Sequence, residues 1–305
     1  MKHPKIVVIG SINMDLVTET PRVPALGETV LGSRFSTLPG GKGANQAVAC
    51  ARLGAEVRMV GCVGDDSFGR ELMNNLQQEG VCVDDVEPVT DVATGIASIV
   101  VENGDNSIIV VPGANHAVTV DKVRQAEAAI READAILLQL EIPLEAVAEA
   151  VHIASRHHVP VIVNPAPATK LPDDVLQKIT ILTPNEYELG ILLDKHSEEV
   201  AAFKEIMAEY PGTIVMTKGE DGAYYSADEK SVAHQPGCKV EVVDTTGAGD
   251  TFNAALAVMI GRDYPLADAV RYAVAASALS VTKFGAQGGM PSHGQVEAFL
   301  QQRSE

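Results

Sequence analysis

The sequence predicts an α/β protein: a doubly wound, mostly parallel sheet carrying a small β appendage. Three observations predict it. Short apolar runs alternate with helix-period segments over most of the 305 residues, the pattern of strands joined by crossover helices. Two stretches break that alternation: 16–38, with Thr-, Val- and Pro-containing pieces and no helical period, and 94–111, with two apolar β-branched runs. With no Trp and 4% aromatic residues, the core must be filled by Ala, Val, Leu and Ile.

The run at 6–9 opens the chain as a buried strand, and 58–63, 135–140, 159–163 and 213–217 have the same character. Between them, 44–53, 68–79, 120–132, 144–157 and 198–209 have the helical period. Asp66 and Ser67 offer N-caps before Phe68, Gly80 ends that helix, and Gly54 ends the helix that begins after Gly43. Within 94–111, two β-branched runs flank Glu102-Asn103-Gly104-Asp105-Asn106, a hairpin turn signal. Both irregular stretches therefore read as antiparallel ribbons outside the main sheet. The last third holds two Ala-rich helices, 252–260 and 266–281. No repeat, low-complexity segment or long linker interrupts the chain, so 1–305 reads as one domain.

Charge excludes some functions. Lys plus Arg number 23 and Asp plus Glu 41, a net charge of −18. A chain that coats nucleic acid needs a broad basic footprint, and one that docks on an anionic membrane needs basic clusters. Neither partner is expected. Cys50, Cys62, Cys82 and Cys238 lack the spacing of a zinc site or a disulfide framework. The first apolar run is too short for a signal peptide and no membrane-length run follows, so a cytoplasmic location is expected.

Four motifs carry chemistry. Asp244-Thr245-Thr246-Gly247-Ala248-Gly249-Asp250-Thr251-Phe252 follows a strand-like 240–243 and opens an apolar helix. Its small residues let a ligand approach first-turn N–H groups backed by the helix dipole. Asp250 is then either a general base beside that anion cradle or an ordinary helix N-cap. Gly40-Gly41-Lys42-Gly43-Ala44-Asn45-Gln46 opens a second helix. Ser36 and Gly43 stand where a Walker A motif needs Gly and Ser or Thr, and Gln46 stands where G-x-G-x-x-G needs its last Gly. What remains is a cation and an amide, or simply a tight loop. Asn13 and Asp15, after the first strand, face the same way and suit sugar hydroxyls, or else they satisfy local turn amides. Asn185 and Glu188, in Thr183-Pro184-Asn185-Glu186-Tyr187-Glu188, share a face. They fit a hydrated Mg²⁺ or a capping box.

Together, GSINMD, GGKGANQAVACARLG, TPNEYE, TKGEDG at 217–222 and DTTGAGDTF occur in the order of the ribokinase-like (PfkB) carbohydrate kinase family. The chain resembles that family over essentially its whole length. NPAPA at 164–168 and VTKFGAQ at 281–287 make it most similar to the ribokinase branch. The resemblance implies a three-layer αβα sandwich whose mostly parallel central sheet bears a β-sheet lid, formed by about 16–38 and 94–111. It implies ATP-dependent phosphorylation of D-ribose at the 5-hydroxyl, with Asp250 as base and Gly247, Ala248 and Gly249 as anion hole. Kinases of deoxyribose, fructose or adenosine are the nearest alternatives, and a non-catalytic sugar-binding regulator is a more distant one. Asn13, Asp15, Gly41, Lys42, Asn45, Glu141 and Asp250 would bind the sugar. Asn185, Thr217, Lys218, Gly219, Glu220, Asp221, Gly222 and Gly249 would meet ATP. Glu188 would position Mg²⁺ through water. Asp244, Thr246, Ser280, Lys283, Gly285 and Gly289 would surround K⁺ or another monovalent activator. At the Gly289 position relatives have Ser, and where Val274 stands relatives can place His near the adenine. Two lids would clasp in a homodimer.

Overall fold

The computed structural model describes residues 2–102, 105–192, 205, 207, 210, 212–227 and 231–303. Its strands are β1 (Lys5–Ile9), β2 (Asn13–Glu19), β3 (Arg34–Gly40), β4 (Glu56–Gly64), β5 (Val81–Val89), β6 (Gly95–Glu102), β7 (Asp105–Val111), β8 (Ala135–Gln139), β9 (Val161–Asn164), β10 (Ile181–Leu182), β11 (Thr213–Thr217), β12 (Gly222–Ser226) and β13 (Val232–Pro236). The helices that matter here are α1 (Lys42–Arg52), α2 (Ser67–Gln78), α3 (Val120–Gln125), α4 (Glu127–Arg131), α5 (Leu144–Arg156), α6 (Asp173–Leu176), α7 (Glu186–Leu192), α8 (Ala248–Gly261) and α9 (Leu266–Ser280).

The central sheet has nine strands in the order β13-β12-β11-β10-β9-β8-β1-β4-β5. From β11 to β5 every pairing is parallel, and β12 and β13 add an antiparallel edge. Side chains alternate across it with the strand period of two. Ile6 and Val8 join a core that includes α1, α8 and α9, whereas Val7 and Ile9 join one that includes α3 to α6. Helices thus cover both faces. Helix α8 is buried around nearly its whole circumference, as expected of a helix without a polar face. The chain leaves β1 toward β4 and returns to its other side at β8. That reversal opens a crevice at the carboxyl ends of β1 and β8, where open α/β sheets take ligands.

A second sheet has the order β3-β2-β6-β7. Its hairpins are antiparallel, as expected for ribbons, but they are joined through a parallel β2–β6 pairing. Every residue of β7 is exposed.

Some local expectations shift. The segment 120–132 splits into α3 and α4 at Ala126. The segment 240–243 is no strand: Val242 and Val243 are exposed, and the N–H groups of Val243 and Asp244 donate to the Val281 carbonyl. The chain there is pinned to the end of α9 and never reaches a sheet edge. Most of the helix expected at 198–209, and Asn103 and Gly104 of the expected turn, lie outside the described residues. No helix of the described residues is long and apolar enough to cross a membrane.

Candidate active site

Three segments converge on the crevice: the loop after β1, Glu141 just past β8, and the start of α1. Ser11 Oγ donates to Glu141 Oε2 at 2.5 Å, and the Lys42 N–H donates to the same oxygen at 3.2 Å. Gly43 N–H donates to Ser11 Oγ and Ala44 N–H to the Ser11 carbonyl. Gly41 turns the chain into α1 with φ 86°, and a Cβ there would lie 2.7 Å from the Asn13 nitrogen, so no other residue fits.

Helix α8 brings in the fourth segment. Its N-cap is Gly247 at φ 78°, where a Cβ would crowd Ala286 Cα at 2.9 Å. Asp250 is consequently the third helical residue and not the cap. Asn45 Nδ2 donates to Asp250 Oδ2 at 3.0 Å and Gln46 Nε2 to Oδ1 at 2.9 Å. Two side chains of α1 therefore fix the carboxylate of α8. Ala248 N–H turns back onto the Thr245 carbonyl. The N–H groups of Gly249 and Asp250 have no acceptor among the described residues, and a Cβ on Gly249 would meet nothing within 4 Å. This helix end opens onto free space with two donors unspent.

The charges interlock. Burial pushes the Asp250 carboxyl up, against the Lys42 ammonium and the two amides that favour its ionised form. Burial also disfavours the Lys42 ammonium, but Asp250, Glu141 and Glu188 outweigh it and hold Lys42 charged. Asp15 is pushed up to about 7 by burial and by the negative charges of Glu141 and Asp250. Burial raises Glu188 too, against the Asn185 N–H and Lys42.

Asn185 and Glu188 form the capping box: Glu188 N–H donates to Asn185 Oδ1 and Asn185 N–H to Glu188 Oε2, both at 2.8 Å. Asn185 pairs with Thr217, which sets it against the turn 217–222. In that turn Lys218 Nζ meets Asp221 at 2.8 Å, Gly219 to Asp221 form a 3₁₀ turn, and Glu220 is exposed. In the third cluster, Asp244 Oδ1 accepts the Thr246 N–H and hydroxyl and Oδ2 accepts the Gly285 N–H. Burial opposes ionisation there, yet these bonds hold Asp244 below the usual carboxylate range. A Cβ at Gly289 would collide with the Ser280 carbonyl oxygen, so a Ser at this position would force the backbone apart. Lys283 is exposed, and Val274 is buried in the core.

The motifs gave no role to Gln46, Asn164 or Gln287, which lie within them, and left Gln139 unmarked. Gln46 also donates to Asn164 Oδ1 and accepts from Gln139 Nε2, while Gln287 donates to Asn45 Oδ1. All are buried neutral amides. Their one sequence signal is an amide inside an otherwise apolar element, such as Gln139 ending AILLQ.

The model of the pfkB family of carbohydrate kinases matches residues 3–293. The chain belongs to this family. Among its PfkB relatives, the ribokinase of Bacillus subtilis is 49% identical over 295 residues, covering 97% of this chain and 99% of the relative. The deoxyribokinase of Salmonella typhi is 37% identical, covering 97% and 98%. The structure of Arabidopsis thaliana ribokinase complexed with ribose and ATP matches with a TM-score of 0.91 at 34% identity, over 98% of this chain and 99% of that one.

Proposed function

We infer that this PfkB kinase transfers the terminal phosphoryl group of ATP to the 5-hydroxyl of D-ribose, with Asp250 as general base. The observation that carries the chemistry is the buried Asp250 carboxylate, held by Asn45 and Gln46 beside the open amides of α8. The substrates follow from the ribokinase relatives and from the ribokinase that was solved with ribose and ATP. Asp250 takes the hydroxyl proton as the sugar oxygen attacks the terminal phosphorus, and the bond to the leaving ADP oxygen breaks. The unspent N–H groups of Gly249 and Asp250 receive the charge gathering on the transferring group, while that of Ala248, expected in the anion hole, is already taken by Thr245. Asn13, Asp15, Gly41, Lys42, Asn45 and Glu141 surround the sugar. Asn185 and the turn 217–222 hold ATP, and the 16–38 and 94–111 lid closes over the site and excludes water.

No group of three or more His, Cys, Asp or Glu among the described residues forms a metal cage. Mg²⁺ fits nonetheless, since it is commonly held by one carboxylate, waters and the substrate's own phosphates. Glu188 is the carboxylate, and the ion would neutralise phosphate charge. The ionised Asp244, with Thr246, Ser280, Lys283, Gly285 and Gly289 around it, suits K⁺. The apolar strip Ile108 to Val111 on β7 suits a second copy of the lid, giving a homodimer. The four free cysteines suit a reducing cytoplasm.

A coupled assay with ATP and ribose, 2-deoxyribose, fructose or adenosine tests the substrate. Ribose should give the highest kcat/KM. The similarity to a deoxyribokinase makes 2-deoxyribose the second reading, and a higher kcat/KM for that sugar would replace ribose with it.

A further inference from the structure

Asn115 lies in a short 3₁₀ helix, Gly113–Ala117, directly after β7. It is 1% exposed and sits in none of the motifs above. Its Oδ1 accepts the Ile12 N–H at 2.8 Å, while its Nδ2 donates to the Ile12 carbonyl at 3.3 Å and to Asn13 Oδ1 at 2.7 Å. The chemistry of the Ile12 backbone is unambiguous: one donor, one acceptor. It therefore dictates which end of the Asn115 amide faces which way. Asn115 must turn an N–H toward Asn13, and only the carbonyl oxygen of Asn13 can answer it. The reverse orientation of Asn13 would set N–H against N–H at a place sealed from water, leaving buried donors unpaired.

We propose that Asn115 is a positioning residue of the sugar site: it locks the Asn13 amide so that Nδ2 is the group presented to the sugar. The inference rests on the reading of Asn13 as a sugar ligand. Asn13 then donates to a hydroxyl oxygen, and Asp15, two residues along the same strand face, accepts from a hydroxyl. That donor–acceptor pair matches neighbouring hydroxyls of a sugar ring. The lid is tied to the same knot. Asn13 pairs in register with Gly95 at the root of β6, and a Cβ at Gly95 would run into both Asn115 Nδ2 and Asn13 Oδ1. Gly95 is the lid-side condition for the two amides to meet.

Asn115→Asp tests this with almost no change of shape. Assayed at alkaline pH, where the new group is a carboxylate, it still accepts the Ile12 N–H but cannot donate to Asn13, whose amide must turn its Nδ2 inward and its oxygen toward the sugar. The ribose KM should rise on the order of 10–100-fold, with kcat at saturating ribose and the ATP KM within about threefold. Gly95→Ala pushes the pair apart from the lid side and should shift the same constant; it decides the matter if Asn115→Asp does not fold. On an Asn13→Ala background, Asn115→Asp should add less than about threefold. An equal fold-change on both backgrounds, or a loss of kcat with ribose KM unchanged, would overturn the proposal. If Asn13→Ala raises the ribose KM while Asn115→Asp and Gly95→Ala do not, the lock alone fails. If Asn13→Ala leaves the ribose KM unchanged, Asn13 is no sugar ligand and both readings fall.

Discussion

Helices α1 and α8 begin alike and end up with opposite jobs. Each is entered through a glycine at positive φ, Gly41 at 86° and Gly247 at 78°, and neither has a side-chain cap. Yet the first three N–H groups of α1 are all taken, by Glu141 and by the hydroxyl and carbonyl of Ser11. Among the described residues only Ala248 of the first three N–H groups of α8 has an acceptor, and the exposed Gly249 opens onto free space. A glycine-rich helix start is thus not an anion site by virtue of its dipole alone. What decides is whether the fold has already spent the donors. In the proposed mechanism α1 serves through its side chains, Lys42, Asn45 and Gln46, and α8 through its backbone and through Asp250.

The largest test of this contrast is Asp250→Asn. It keeps the amides of α8 and removes the base, so kcat should fall about 10²–10⁴-fold in a steady-state assay while ribose still binds in calorimetry. Unchanged turnover would end the division of labour at its root. Next come the paired glycines. Gly247→Ala forces a side chain against Ala286 and tilts the open amides; kcat should drop roughly 10–10³-fold with ribose affinity kept. Gly41→Ala instead crowds Asn13 and should raise the ribose KM roughly tenfold. Matching kinetic profiles for the two variants would mean that the helix starts do the same work. Smaller still, Ser11→Ala strips one acceptor from α1 and should cost about 1 kcal/mol of stability, read by denaturant titration.

A separate effect is on pH. Folding lifts the Asp15 carboxyl to about 7, well above the unfolded value of about 4. Between those values the folded protein holds a proton that the unfolded chain has released, so stability falls as pH rises through the window. Glu188 and Asp250 are shifted in the same direction. Melting temperatures of the ligand-free protein should decline from pH 5 to pH 8, less so in Asp15→Asn. An identical slope in that variant would show that Asp15 is not the group responsible.

Much of this was legible in the sequence, because periodicity and glycine turns are local. The strand at 213–217 is observed with those bounds, and α5 and α9 end one residue short of their patterns. The apolar 240–243 misled because its β-branched residues suit a strand, but its backbone bonds to the end of α9 instead. The parallel joining of the two hairpins of the second sheet was hidden for a related reason: pairing partners far apart in sequence leave no local mark. Both signature motifs announced Lys42, Asn45 and Asp250. They could not tell which helix would keep its amides free, since Ser11 and Glu141, the acceptors that close α1, lie just past two other elements, β1 and β8. Nor could they distinguish the capping box of Asn185 and Glu188 from a metal pair; the reciprocal bonds show the box, and a hydrated ion remains compatible with it. Gln46, Gln139 and Asn115 act by orienting a neighbour, and orientation has no sequence spelling.

The carboxylates around Lys42 have a consequence for the direction of traffic. With Asp15 and Glu141 as the proposed sugar ligands, ribose arrives neutral and leans its hydroxyls on them without electrostatic cost. It leaves as a phosphate ester carrying about two negative charges. The acids that welcomed the substrate then repel the product, and one ammonium cannot offset them. On that reading the site is a one-way gate built from charge, which discriminates between the same sugar before and after the reaction.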